Sequence, residues 1–410
     1  MTLPFDQDVV PGHAAFLPPG PAADAPARRR GRGAGAFALW LLVGGAIGAL
    51  GAIAGRGLAT SPPAWLPASL SLPLVLLAAA LSLWPSIVLH EAGHALAGIA
   101  RGMRPLAFGI GPLRWERGQA RWRFRRDRGV GGIAGFAALL PVGDRGLSRA
   151  DQMAYLAGGP AANLLTAALC LALVAALPPA HAAVSWLLGI GGCALLLGAA
   201  NLLPFHSQGW RSDGRGLLDL LLGNTDAVLH QRIQHVLALN MAGVRPRDWP
   251  DAAVPPAASP DASPMLALNG DLLRLAWAMD RNDAPAAAEV ARRATAAFPA
   301  LPVAMQPHLA VALAGYAARL LRDPAVLAAW RPLCAGGVTD LSLMRAWLDA
   351  ELAALSGDPG GARAALADAH ALLDRAPDPV TARLLGEYLD ALAQRLDART
   401  ADAGPAVKDA

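Results

Sequence analysis

A short segment at the end of a hydrophobic stretch combines two histidines with an acidic residue: His90-Glu91-Ala92-Gly93-His94. Residues four positions apart in an α-helix lie on the same face, so His90 and His94 can direct their ring nitrogens towards one point. Imidazole is a common ligand of Zn²⁺ in proteins. Glu91, next to the first histidine, can then reach a water molecule on the metal without being a ligand itself. The segment therefore predicts a zinc site with a general base beside it.

A hydrolytic zinc site usually has three protein ligands and keeps one position for water. The third ligand could come from the chain that follows the last hydrophobic stretch, where the candidates are Asp213 and His206. Pro204 can end the preceding helix and release backbone groups that a protein-lined cavity can satisfy. Asp213 would return a carboxylate to the membrane face that carries the histidines, and this favours it over its rival His206.

Uncharged stretches long enough to cross a bilayer supply the elements that would position these residues. The first, residues 33–55, has 23 residues without a charge. As a helix it would be about 34 Å long, enough to span the hydrocarbon core. A second stretch ends at the histidine segment, and the uncharged chain between Gln152 and Trp210 is long enough for two more. The predicted spans are 33–55, 70–100, 152–177 and 183–204.

The charged segments between these stretches predict the topology. Residues 28–32 and 101–149 are rich in arginine, and the chain is charged again after residue 210, whereas the other loops have no formal charge. Positive loops are retained in the cytoplasm, so four spans with both termini cytoplasmic satisfy the pattern. The heavy use of Ala, and of Arg in place of Lys, is compatible with a multi-pass protein of the bacterial inner membrane.

The composition argues against a soluble cytosolic enzyme and against a disordered chain. Hydrophobic residues make up 54% of the sequence and charged residues only 16%, well below the usual quarter. The net charge is only +4, and almost all of the positive side chains are arginine. This gives no reason to infer that the protein binds nucleic acid. The three cysteines (Cys170, Cys193 and Cys334) lack the spacing of disulfide or metal pairs.

Residues 106–126 predict a β-hairpin, because aromatic and alternating positions flank a turn at residues 116–119. In one interpretation the hairpin is a basic loop that binds lipid headgroups. In the other, which we favour, its edge pairs with an unwound segment of a substrate and presents that segment to the metal.

The chain after residue 213 changes character. Residues 254–264 are typical of a linker, and residues 265–400 have Ala, Leu, Arg and Asp at helical spacing. Turn-like segments, Asp-Ala-Pro at 283–285 and Asp-Pro at 323–324 and 358–359, recur at intervals of 40 and 35 residues that suit stacked helical hairpins. A tetratricopeptide-like repeat is the prediction here, with an irregular helical bundle as the alternative.

Further motifs follow the histidine segment in order. They are Phe108-Gly109-Ile110-Gly111-Pro112, Gly131-Gly132-Ile133-Ala134-Gly135, Gly158-Gly159-Pro160-Ala161-Ala162-Asn163, Asn201-Leu202-Leu203-Pro204 and Asp213-Gly214. Over about residues 72–220 the chain resembles the site-2 protease-like intramembrane zinc metalloproteases. It departs from the family pattern in one respect, because nine positions separate Pro204 from Asp213.

The resemblance implies zinc as cofactor, held by His90, His94 and Asp213, with Glu91 as the general base. It also implies that two asparagines line the site and contact the substrate, Asn163 and Asn201. For Asn163, helix packing is an equal alternative, since the small residues before it allow membrane helices to approach closely.

The fold class expected from these features is an all-α polytopic membrane protein with a small membrane-associated β element and a C-terminal, tetratricopeptide-like soluble domain. The predicted divisions are 1–32, a disordered cytoplasmic tail; 33–222, the membrane domain with its β element at about 105–143; 223–264, a helical connection and linker; 265–400, the helical cytoplasmic domain; and 401–410, a disordered tail.

The predicted function is hydrolysis, in regulated proteolysis, of a peptide bond in or next to a transmembrane segment of another membrane protein. The predicted partners are that substrate, the lipid bilayer and a protein bound by the C-terminal helices. The alternative is a catalytically inactive membrane scaffold that binds a protein partner through those helices.

Overall fold

The computed structural model describes residues 12–20, 70–118, 121–126, 135–142, 147–178, 180–207, 210–223, 225–259 and 262–402. The predicted first span, 33–55, lies outside these residues. Contacts divide the chain into two compact units. One contains residues 1–18, 87–162 and 198–410, and the other contains residues 19–86 and 163–197.

Three helices of the described residues are long and apolar enough to cross a membrane. They are α1 (Leu72–Ala100), α2 (Arg149–Ala176) and α3 (Ala183–Leu202). Their bounds lie within a few residues of three predicted spans, which confirms those three helices. The count of four spans stays a prediction.

Small residues allow close helix packing inside the second unit. A side chain at Gly189 would collide with the carbonyl oxygen of Val75, and a Cβ at Gly191 would lie 2.8 Å from the Cβ of Cys170. Such contacts are typical of membrane helices, whose association depends on close van der Waals packing.

A four-stranded antiparallel sheet follows α1. Its strands are β1 (Met103–Ile110), β2 (Leu113–Arg117), β3 (Trp122–Arg126) and β4 (Gly135–Pro141), in the order β3-β2-β1-β4. Strands β2 and β3 form a hairpin in which Leu113 pairs with Arg126 and Arg117 with Trp122. The small β element is therefore confirmed, and the predicted hairpin forms one side of it.

A second, much smaller hairpin follows α3. It consists of β5 (His206–Ser207) and β6 (Trp210–Arg211) and leads into α4 (Asp213–Leu222) and α5 (Thr225–Met241). Helix α5 packs against β4.

The C-terminal region is helical. Its helices are α6 (Pro264–Asp280), α7 (Ala284–Ala297), α8 (Gln306–Tyr316), α9 (Pro324–Trp330), α10 (Ser342–Leu355), α11 (Pro359–Ala371) and α12 (Pro379–Asp402). The three predicted turns begin helices, because the side chains of Asp283, Asp323 and Asp358 accept backbone hydrogen bonds at the N-caps of α7, α9 and α11. The tetratricopeptide-like repeat itself stays a prediction.

The segment before α6 packs onto this helical region. Trp249 is buried against Val236, and Arg245 makes two hydrogen bonds to the carboxylate of Asp280, at 2.6 and 3.0 Å. Arg245 and Asp280 stabilise each other's charged form. Asp280 raises the pKa of Arg245, and Arg245 lowers the pKa of Asp280, in both cases against the opposing effect of burial.

The sheet also contacts the helical region. The Glu116 carboxylate in β2 accepts hydrogen bonds from the backbone N–H of Asp340 and from the Arg125 guanidinium, both at 2.9 Å. Arg123 in β3 forms an ion pair with Asp374. The β2–β3 hairpin is thus attached to two connections of the helical region, one before α10 and one after α11.

Candidate metal centre

His90 and His94 lie one turn apart on α1, and both side chains are buried. Their Nε2 atoms are 3.2 Å apart, so both rings face the same point, as the four-residue spacing predicted. In this orientation the two ring nitrogens can bind one common ligand.

The carboxylate of Asp213 completes the cluster. Its Oδ2 atom lies 3.2 Å from Nε2 of His90 and 3.4 Å from Nε2 of His94. Among the described residues, these three side chains are a group of potential metal-ligating atoms within 4.8 Å of one another. The structure therefore brings together the three residues that the resemblance assigned to zinc.

The donor set fits zinc in chemistry and in size. Two imidazole nitrogens and one carboxylate oxygen are the ligands of many catalytic zinc sites, which keep a fourth position open. With zinc–ligand bonds of about 2.0–2.1 Å in a tetrahedron, neighbouring donor atoms lie roughly 3.3 Å apart. The three observed separations, 3.2, 3.2 and 3.4 Å, agree with this spacing.

The hairpin β5–β6 accounts for the nine positions between Pro204 and Asp213. The N–H of Ser212 donates to the carbonyl of Phe205 at 3.0 Å, and the N–H of Phe205 donates to Oγ of Ser212 at 3.1 Å. These bonds close the base of the hairpin, so Ser212, and with it the adjoining Asp213, is held beside Phe205.

The glycine after Asp213 allows α4 to begin next to the end of α3. A side chain at Gly214 would collide with the carbonyl oxygen of Leu202. Ser212 caps the new helix by accepting the N–H of Arg215. Asp213 is thus fixed in the first turn of α4, where a negative charge is favoured by the helix dipole.

Burial and the histidines act on Asp213 in opposite directions. Burial alone would raise the pKa of this carboxyl group, but its close contacts with the imidazoles of His90 and His94 outweigh burial and hold the pKa below its usual range. The carboxylate is consequently ionised at neutral pH, the form that a metal requires.

A backbone contact sets the orientation of His94. Its Nδ1 atom donates to the carbonyl oxygen of Tyr155 in α2 at 2.8 Å, which leaves Nε2 unprotonated and turned to the cluster. The hydroxyl of Tyr155 in turn donates to the carbonyl of Ala137 in β4 at 2.6 Å. Sequence reasoning did not predict Tyr155, because a carbonyl acceptor can belong to any residue type.

Gly159 in α2 forms one wall of the cluster. A Cβ at this position would collide with Nε2 of His94 and lie 2.8 Å from Nε2 of His90, so it would fill the space between the imidazoles. Its neighbour Gly158 faces Gly93 of α1, where a side chain would collide with the opposite backbone. Gly158 therefore allows α1 and α2 to pack closely, and Gly159 leaves room for the donor nitrogens of the histidines.

Glu91 lies beside the cluster and is not one of its three donors. Its buried carboxyl group is close enough to both imidazoles and to Asp213 to interact with them electrostatically. On its other side is β4, since a Cβ at Gly135 would lie 2.9 Å from Cγ of Glu91. A buried acid next to, but outside, a metal-binding group has the placement of a general base.

The remaining predicted site residues are placed as follows. Asn201 is half-buried near the end of α3, in the same unit as the cluster, and Asn163 is fully buried in α2, in the other unit. The side chain of His206, the rival ligand, lies outside the described residues.

The buried cluster of two histidines and an aspartate, with a glutamate beside it, in a chain with three helices apolar enough to cross a membrane, defines a candidate hydrolytic metal centre of a membrane protein. Residues 78–186 match the family model of peptidase family M50, the site-2 protease family. Over these residues the match confirms the resemblance found in the motifs. It includes both histidines and Glu91 and ends before Asp213. No curated protein and no solved structure matches the chain.

Proposed function

We propose that the protein is an intramembrane zinc endopeptidase that hydrolyses a peptide bond in or next to a transmembrane segment of another membrane protein. The observation that carries this proposal is the convergence of His90, His94 and Asp213 at the spacing that zinc requires, in a chain whose residues 78–186 match the M50 family. Proteases of that family are zinc-dependent.

His90, His94 and Asp213 would hold the metal. Zinc, when bound, polarises the scissile carbonyl group and makes water a stronger acid. Glu91 takes the proton from the attacking water and delivers it to the leaving amine. His94 keeps the required tautomer through its bond to the carbonyl of Tyr155.

The sheet would present the substrate. A peptide bond inside a helix is shielded by the helix's own hydrogen bonds, so a transmembrane substrate must unwind locally before attack. Strand β3, whose residues alternate between exposed and half-buried, is one edge of the sheet. Strand β4, which lies next to Glu91, is the opposite edge. We propose that the hairpin edge pairs with the unwound segment, and that Asn163 and Asn201 contact it.

Purified wild type and Glu91→Gln, reconstituted in liposomes, can be incubated with a panel of membrane-spanning peptides. Because Glu91 is the base and not a ligand, we expect Glu91→Gln to retain zinc while cleavage falls at least about 100-fold. Glu289→Gln is the matched control, since Glu289 is an exposed residue of α7, and it should cleave like the wild type.

Equal cleavage by wild type and Glu91→Gln would remove Glu91 from the mechanism. The alternative function is an inactive scaffold. It predicts that no peptide of the panel is cleaved, and that a chain with His90→Ala fully complements any defect of a deletion strain. The proposed location is the bacterial inner membrane, with both termini in the cytoplasm and the motif at the cytoplasmic end of α1.

A further inference from the structure

A short N-terminal segment is bound by residues of the helical region that lie 300 or more positions later in the chain. Residues His13–Phe16 form a 3-10 turn, within the part of the chain predicted as a disordered tail. His13, Phe16 and Leu17 are half-buried, whereas Ala14 and Ala15 are exposed. The turn therefore directs one side towards the helices and the other to solvent.

Three specific contacts hold this segment. Nδ1 of His13 donates to the carboxylate of Asp323 at 2.9 Å, and the indole N–H of Trp330 donates to the carbonyl oxygen of Phe16 at 2.7 Å. The ring of Phe16 lies 5.3 Å from the ring of Tyr316, centroid to centroid. The imidazole of His13, the carbonyl oxygen of Phe16 and the ring of Phe16 are each bound by a different residue of the helical region.

The groove that receives the segment is defined here by Tyr316, Asp323 and Trp330. Its polar groups are fixed by the helical region itself. The other carboxylate oxygen of Asp323 caps α9 by accepting the N–H of Ala325 and of Val326. Trp330 is completely buried and packs edge-on against Phe298. Because these contacts do not involve the segment, the groove is preorganised for a ligand.

We propose that this groove is a peptide-binding site for a segment with a histidine and, three residues later, a phenylalanine, and that residues 13–17 are its intramolecular ligand. The buried carboxylate selects the histidine, and Tyr316 selects the aromatic ring. The indole N–H of Trp330 binds the backbone and so requires an extended exit from the turn, which Leu17 provides with an extended conformation. The proposal does not depend on the protease activity.

Covalent attachment gives such a ligand a high effective concentration, in the millimolar range for a short flexible connection. A free peptide of the same sequence should therefore compete poorly for the groove of the intact chain. After the chain is cut between the segment and the first predicted span, the same peptide should bind well.

The test uses the full chain in detergent, with a site-specific protease recognition sequence inserted after Gly20. A fluorescent peptide with the sequence of residues 12–20 is titrated before and after cleavage and removal of the released fragment, and binding is followed by anisotropy. We expect at least about ten-fold tighter binding after cleavage. The peptide variant Phe16→Ala should lose at least about ten-fold in affinity, whereas Ala14→Ser, at an exposed position, is the matched control and should bind normally.

Asp323→Asn in the chain tests the histidine contact without removing the helix cap, since asparagine also caps helices well. It should weaken binding of the unchanged peptide of residues 12–20, but not binding of the same peptide with His13→Ala. Circular dichroism before and after cleavage reports on the fold. Equal binding before and after cleavage, no binding after cleavage to a chain that stays folded, or loss of helix on release of the fragment would each overturn the proposal.

Discussion

At the scale of single residues, the sequence reveals some parts of the candidate metal centre and not others. His90, Glu91 and His94 were predicted because their relation is local, fixed by the geometry of one helix. Tyr155 and Gly159 were not predicted, because one acts through a backbone carbonyl and the other through the absence of a side chain. Neither property is visible in a residue type without the position of its neighbours.

Gly159 gives a prediction at this scale. Gly159→Ala places a methyl group between the Nε2 atoms of His90 and His94, so zinc affinity should fall at least about ten-fold, as it does when the surroundings of metal ligands are disturbed. Zinc titration against a competing chelator measures the change. Gly192→Ala is the control, because a Cβ at Gly192 in α3 would meet nothing within 4 Å. Unchanged affinity in Gly159→Ala would contradict the close approach of α2 to the imidazoles.

At the scale of elements, length and charge were sufficient for α1, α2 and α3, because a bilayer imposes a minimum apolar length on any helix that crosses it. The hairpin β5–β6 was not predicted. Its strands have two residues each, which are too few for a periodic pattern. The hydrogen bonds between Phe205 and Ser212, which hold Ser212 and the adjoining Asp213 beside the end of α3, become apparent only in the structure.

The attachment of the sheet to the helical region can be tested at Glu116. Glu116→Ala removes the acceptor of the Asp340 N–H, so that amide should exchange with deuterium on the order of ten-fold faster. Hydrogen exchange of the full chain, followed by mass spectrometry, measures this at residues 338–342. Glu289→Ala, in an exposed part of α7, should have no effect there. Identical exchange in Glu116→Ala would show that the hydrogen bond does not hold the hairpin to the helices.

At the scale of the whole chain, composition predicts apolar helices followed by a helical C-terminal region, but the contacts between residues far apart in the chain are hidden from it. The N-terminal turn lies in a segment rich in Pro, Ala and Gly, a composition that predicts a tail. Its partners Asp323 and Trp330 become apparent only when the helices are assembled. The same holds for Arg245 and Asp280, which attach the predicted connection to the helical region.

The helical region should lose stability in mild acid through His308. Burial lowers the pKa of His308 to about 4. The unfolded chain binds a proton there below about pH 6.5, while the folded chain does not until about pH 4. The contribution of His308 is therefore fully favourable above pH 6.5 and declines as the pH falls to 4, by up to about 3 kcal/mol.

The free energy of opening of α8, from hydrogen exchange between pH 4 and 8 corrected for intrinsic rates, measures this loss. His308→Gln should flatten the dependence on pH below 6.5. His370→Gln, at an exposed position of α11, is the matched control and should leave the slope unchanged. An equal slope in wild type and His308→Gln would assign the acid sensitivity to other groups.

The proposed function requires above all that two histidines of α1 and the first residue of α4 hold one ion jointly. Zinc content of the purified chain, determined by inductively coupled plasma mass spectrometry, tests this most directly in wild type, Asp213→Ala, His206→Ala and Asp251→Ala, the last an exposed control. We predict about one zinc per chain for wild type, His206→Ala and Asp251→Ala, and a loss of most of the metal in Asp213→Ala. Full zinc content in Asp213→Ala together with its loss in His206→Ala would contradict the account.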